Sequence, residues 1–96
     1  MNEVKIVHDE EAGSFLLMLD DKQVGRIDFN LKGNRMRIPH TEVDKEQTGK
    51  GYAKMLVDHA IAYARENEYK IIPICPYVVK YMRDKELYKD VLFEIK

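Results

Sequence analysis

Two short stretches of the 96-residue chain hold residue types at spacings that could do chemistry. In Thr48-Gly49-Lys50-Gly51-Tyr52-Ala53-Lys54, two glycines flank a lysine just before an apolar pattern of helical period. Glycine at the mouth of a helix lets the backbone take positive φ and removes side chains that would hold a ligand away. The unpaired N–H groups of the first turn sit at the positive end of the helix dipole, so an anion, above all a phosphate, binds there. Lys45, Lys50 and Lys54 add positive charge. The plain alternative is a turn and a helix cap. The second stretch is Cys75-Pro76. Proline is favoured at the first helical position, which makes Cys75 an N-cap, and thiols at helix N-termini ionise more readily to the reactive thiolate. A lone cysteine is otherwise a small core residue.

Two common phosphate-binding patterns do not fit the glycine stretch. The Walker loop needs Gly-Lys followed by Ser or Thr, and here Gly51 follows Lys50. The dinucleotide fingerprint needs a third glycine, and Ala53-Lys54 stands where its spacing would continue.

The elements that must position these residues fall into two halves of different period. Val4 to Val7 is a strand candidate. Ser14 to Val43 then reads as strand, Asp20-Asp21 turn, strand, Lys32-Gly33-Asn34 turn, strand, an antiparallel meander. In its middle strand Val24, Arg26, Asp28 and Asn30 alternate with Gly25, Ile27, Phe29 and Leu31, one face for water and one for a core. Ala53, Leu56, Val57, Ala60, Ile61 and Ala64 form one apolar stripe of a helix ending near Asn67. Lys70 to Cys75 is a short apolar strand, which a helical crossover would make parallel to its neighbour. The residues from Pro76 onward are mostly helical in pattern, with a charged face and a short apolar closure. The expected fold class is α/β, in the order β-β-β-β-α-β-α. Pro39 and Pro73 each remove a ladder donor and belong at bulges, edges or places where strands part.

Size and charge exclude several function classes. The length suits one domain over residues 1–96. Sixteen basic and seventeen acidic residues leave a formal net charge of −1, so no basic field advertises nucleic acid or an anionic membrane. No segment has the apolar length of a signal peptide or membrane span, and a cytoplasmic location is expected. Cys75 is the only cysteine, and with His8, His40 and His59 it makes no metal-ligand spacing, so no metal is expected.

The glycine stretch resembles the acetyl-coenzyme A loop, Gln/Arg-x-x-Gly-x-Gly/Ala, of the GCN5-related N-acetyltransferases. Gly51 and Ala53 match it, while Thr48 stands where Gln or Arg is usual. The longer run from His40 to Val91 is similar to the small single-domain branch of that superfamily, with a Cys-Pro-Tyr-Val element at Cys75. The resemblance implies a co-substrate, acetyl-CoA, held by Val43, Thr48, Gly49, Lys50, Gly51, Tyr52, Ala53, Lys54 and Cys75. It implies that the fourth and fifth strands splay into a V for the pantetheine arm, and that the acceptor is an amine. Acetyl transfer to an amine needs a base, an oxyanion donor and a proton for the leaving thiolate. His40 and Glu42, two apart on one strand face, are the candidate bases, Glu42 needing a raised pKa. The resemblance implies Tyr81 as the proton donor, although the asparagine-led pattern usual there is missing. Cys75 either lines the thioester pocket in a direct transfer or carries the acetyl group itself. Two helices that follow the first strand in larger relatives are absent, which leaves the acceptor side open. The chain is expected to act as a monomer or weak dimer. A coenzyme A sensing module without turnover, or a small protein-interaction domain, is the competing reading.

Overall fold

The computed structural model describes residues 3–47 and 49–93. Strands β1 (Val4–Asp9), β2 (Ser14–Leu19), β3 (Lys22–Lys32) and β4 (Arg35–Val43) pair antiparallel in sequence order. A short 3₁₀ turn at Lys45–Gln47 leads to helix α1 (Tyr52–Glu66), and β5 (Lys70–Pro73) then joins β4 in parallel, with helix α2 (Pro76–Tyr81) after it. The meander, the turns at Asp20-Asp21 and Gly33-Asn34, and the parallel fifth strand stand where the sequence pattern puts them.

Alternation along the strands gives the sheet one dry face, and α1 covers it. Phe15, Leu17, Ile27, Met36, Ile38 and Ile71 from the strands meet Leu56, Val57, Ala60, Ile61 and Ala64 from α1 in one core. Each large aliphatic side chain buried this way contributes about 1.5–3 kcal/mol. Phe15 and Phe29 stack at 5.0 Å, and Tyr63 meets Phe15 edge-on at 5.1 Å.

Two register shifts change which side chains face inward. Leu17 pairs with Gly25 but Met18 pairs with Gln23, so Val24 is an extra residue in β3. Strict alternation would leave Val24 in water with Arg26; the bulge turns it into the core, 1% exposed. In β4 the pairing passes from Asn30↔Arg37 to Asp28↔His40, so Phe29 faces both Ile38 and Pro39. The bulge accepts a proline without losing a ladder bond. It also inverts the strand: Met36 and Ile38 point to the core before it, and Thr41 and Val43 share that face after it, while His40 and Glu42 stand exposed on the opposite face.

The tail departs from the helical pattern. Helix α2 stops at Tyr81, because the Asp84 carboxylate accepts from the amides of Glu86 and Leu87, both at 3.2 Å, and so stabilises a turn instead. Val91 to Phe93 then runs beside β5, Ile71 N donating to Val91 O at 2.6 Å and Phe93 N to Ile71 O at 2.9 Å. This is the apolar closure, with Val91 fully buried; residues 94–96 lie outside the described residues.

Gly13 turns β1 into β2 at φ 68°, and a Cβ there would lie 2.7 Å from the Phe29 carbonyl oxygen. Gly33, at φ 61°, faces open space. Gly33→Ala should therefore carry only the left-handed backbone penalty of about 1–2 kcal/mol, and Gly13→Ala roughly twice that. Urea denaturation midpoints of the two variants check this; equal losses would mean that Phe29 gives way freely.

Candidate functional site

The β4–β5 ladder begins at Arg35↔Lys70 and ends at Ile38↔Pro73. Both prolines stand at its end. The Ile38 carbonyl accepts the amides of Ile74 at 3.2 Å and Cys75 at 2.9 Å, which turns the chain away from β4 and into α2. From Pro39 to Val43, β4 is paired only with β3, so its other edge offers backbone groups to the gap. On the same segment Thr41 Oγ1 is buried with no hydrogen-bond partner among the described residues.

The glycine loop stands between the end of β4 and α1. Gln47 N closes the 3₁₀ turn on Asp44 O at 2.9 Å, and Gly49 and Gly51 take φ of 87° and 78°. Gly51 is the N-cap of α1; no side chain caps it and no acidic residue lies in the first turn. Met55 N donates to Gly51 O at 3.1 Å, and among the described residues nothing accepts from the N–H groups of Tyr52, Ala53 and Lys54. A Cβ at Gly49 or Gly51 would meet no atom within 4 Å. Internal packing therefore does not require glycine there, although the left-handed backbone does. Thr48 lies outside the described residues.

The nearby cations are exposed and partly engaged. Lys50 Nζ donates to Gln47 Oε1 at 2.8 Å, and Lys54 Nζ to Asp58 Oδ2 at 2.9 Å. The hydrogen bond and charge of Asp58 hold the Lys54 ammonium above its ordinary pKa. Val43 and Tyr52 are partly buried against the core, and Ala53 is half-buried beside them.

Cys75 is the N-cap of α2 and is 7% exposed, packed in the same core as Val78 and Met82. On the far face of the sheet, His40 Nε2 lies 2.9 Å from Glu42 Oε2, both side chains half-exposed. That hydrogen bond first, and the charge of Arg26 second, lower the Glu42 pKa. A glutamate base working near neutral pH needs the opposite shift, so of the two residues the imidazole is better suited to take a proton. Tyr81 donates its hydroxyl hydrogen to Asp58, tying α2 to α1. Burial first, and Asp58 second, push its phenol far above the ordinary value. Tyr77, Tyr81 and Tyr88 follow one another at centroid spacings of 6.1 and 6.3 Å.

The candidate site thus comprises the loop, the split and Cys75, with the His40–Glu42 pair just past the bulge. Sequence reasoning did not single out Asp58 or Thr41. Asp58 stands four residues after Lys54, a spacing that reveals the ion pair, but its bond to Tyr81 spans 23 residues and leaves no local trace. Among the described residues no group of three metal-binding side chains comes together. No helix of the described residues is long and apolar enough to cross a membrane.

This architecture is shared with known proteins. A GCN5-like candidate N-acetyltransferase of Staphylococcus aureus, solved by NMR, superposes with a TM-score of 0.76 at 26% identity, over 100% of this chain and 94% of that one. N-acetylglutamate synthase of Neisseria gonorrhoeae, solved with coenzyme A and N-acetyl-glutamate, gives 0.64 at 16% identity over 79% of this chain and 19% of that one. A GNAT-family N-acetyltransferase of Escherichia coli, solved with coenzyme A, gives 0.57 at 20% identity, over 84% and 45%. No protein of curated function matches the chain in sequence. The sequence model of the GCN5-related N-acetyl-transferases matches residues 14–91, which takes in the whole sheet from β2 onward, the glycine loop and both helices. With most of its length inside that match, and with β4 and β5 parting beside a glycine-capped helix, the chain belongs to the GCN5-related N-acetyltransferase family.

Proposed function

We propose that the protein transfers an acetyl group from acetyl-CoA to an amine. The observation that carries this reading is the parting of β4 and β5 next to the uncapped N-terminus of α1. Phosphate groups are suited to the N–H groups of Tyr52, Ala53 and Lys54, which have no acceptor among the described residues, with Val43, Gly49, Lys50 and Gly51 shaping the approach and Thr48 as a further proposed contact. The pantetheine amides are suited to the unpaired edge of β4 and to Thr41 Oγ1, the one buried polar side-chain atom without a partner among the described residues. Coenzyme A in two structures of the same fold supports this choice of ligand.

Within that frame the chain's own residues divide the work. His40, oriented by Glu42, takes the proton from the attacking amine. Backbone N–H groups on the free edge of β4 face the developing oxyanion. Cys75 lines the thioester pocket, and transfer is direct: an acetyl group moved to the Cys75 sulfur would be a thioester again and gain no reactivity. Tyr81 acts by position, because its hydroxyl is held by Asp58 and its high pKa makes it a weak acid, so the coenzyme A thiolate released when the C–S bond breaks takes its proton from water. The acceptor approaches from the open sheet face where His40 stands.

Gly51→Val should lower fold stability by about 1–2 kcal/mol, from φ strain alone, yet abolish coenzyme binding by placing a branched side chain over the free N–H groups. In wild type, acetyl-CoA at about 100 times its Kd should stabilise by roughly 2.7 kcal/mol, and the variant should show no such shift. Lys50→Ala should change little, because an exposed charge is screened. Undiminished binding by folded Gly51→Val would remove the phosphate cradle from the account.

His40→Ala should lower kcat by about 10²-fold with coenzyme affinity kept, and Glu42→Gln by a smaller factor. Cys75→Ala should retain most of its turnover. Mass spectrometry of protein incubated with acetyl-CoA and no acceptor should find no stoichiometric acetyl on Cys75; one that chases onto added amine would establish the covalent route instead.

A further inference from the structure

A wide concavity lies away from the glycine loop, none of whose residues line it. It is a groove of about 1000 Å³ between α2 and the closing residues Leu92 and Phe93, and its lining includes Pro73 and Ile74, at the end of the β4–β5 ladder. Its wall is apolar: Ile74 is 50% and Val79 47% exposed, an unusual investment of large aliphatic surface in so small a domain. Phe93 on the far side is held by the Arg35 guanidinium, 4.6 Å from the ring centroid. The polar lining is all of one sign, Lys80, Arg83 and Lys85. Asp84, between Arg83 and Lys85, keeps its carboxylate on the amides of Glu86 and Leu87, and the three cations of the lining outnumber it.

The order of these features along the groove has chemical content. Pro73 and Ile74 stand at the end of the β4–β5 ladder; Pro76 and Val79 follow along α2; Lys80, Arg83 and Lys85 come at and beyond its C-terminal end. Six helical residues rise about 9 Å, the reach of roughly three residues of extended chain. A small amine would leave most of this groove empty. An extended peptide would fill it, with its amine at the split, apolar side chains against Val79 and Phe93, and carboxylates among the three cations.

We propose that the acceptor is a polypeptide amine followed, three to five residues along the chain, by acidic residues, with apolar residues between. The groove binds that segment and presents its amine at the β4–β5 split. This rests on the acetyl-transfer reading for the fate of the amine, while binding in the groove can be measured without it.

The test uses the full chain and a fluorescein-labelled peptide of sequence Lys-Leu-Phe-Asp-Glu-Asp, with a control in which the three acids are lysines. Fluorescence anisotropy should show the acidic peptide bound about tenfold or more tighter than the control, the sum of a few screened surface pairs. Lys80→Glu combined with Arg83→Glu should erase or invert that preference, and Val79→Asp should weaken both peptides, with the acetyl-CoA thermal shift retained in every variant. Mass spectrometry should place the acetyl group on the peptide's Lys amine. Equal binding of the two peptides, or binding without acetylation by a protein that acetylates a simple amine, overturns the proposal. So does concentration-dependent dimerisation abolished by Val79→Asp, which would assign the groove to a second copy. Absence of any acetyl-CoA shift in wild type fails the acetyl-transfer reading instead, and is distinguishable because peptide binding is read separately.

Discussion

The carbonyl of Ile38 accepts two amides, those of Ile74 and Cys75, and the site depends on that sharing. A parallel ladder continues as long as each strand supplies donors in step. Here Pro73 supplies none, and the next two donors converge on one acceptor. The chain therefore leaves the sheet at Cys75 and starts α2 at Pro76, while β4 continues alone to Val43. An unpaired edge in the middle of a sheet is ordinarily a liability. Placed beside the N–H groups of α1 that have no acceptor among the described residues, it becomes a row of donors and acceptors that a polar, extended ligand can occupy.

The Pro39 bulge determines what surrounds that edge. By adding one residue to β4, it keeps Met36 and Ile38 in the core below the split and turns His40 and Glu42 onto the open sheet face above it. Without the bulge, strict alternation would carry His40 and Glu42 to the α1 side. The two prolines thus act together: one ends the pairing, and the other sets which side chains face the open side of the sheet. The Tyr81–Asp58 bond ties α2 to α1.

Features governed by near neighbours in sequence were legible from it. The α1 stripe from Leu56 to Ala64, the turns at Asp20 and Gly33, the order of elements and the roles of both prolines all follow from local periodicity or backbone chemistry. Val24 was not legible, because its burial depends on the register against Met18 and not on its own neighbours. The tail was misread as helix because its apolar spacing is compatible with one; the Asp84 side chain and the pairing of Leu92 with Ile71 decide otherwise. Of the candidate site, the loop glycines and the place of Cys75 at the start of α2 were readable. The engagement of Tyr81 was not, since Asp58 reaches it across the fold, and the lowered Glu42 pKa was not, since it takes the His40 hydrogen bond first and then Arg26 on the neighbouring strand.

The central claim is that one ligand occupies both the glycine loop and the β4–β5 split. A titration of the ¹⁵N-labelled protein with coenzyme A, followed by amide resonances, tests it most directly. The account predicts that the largest changes fall together on Gly49 to Lys54 and on Thr41, Ile74 and Cys75, saturating with one affinity. Changes confined to one of the two groups, or none at all, would contradict it.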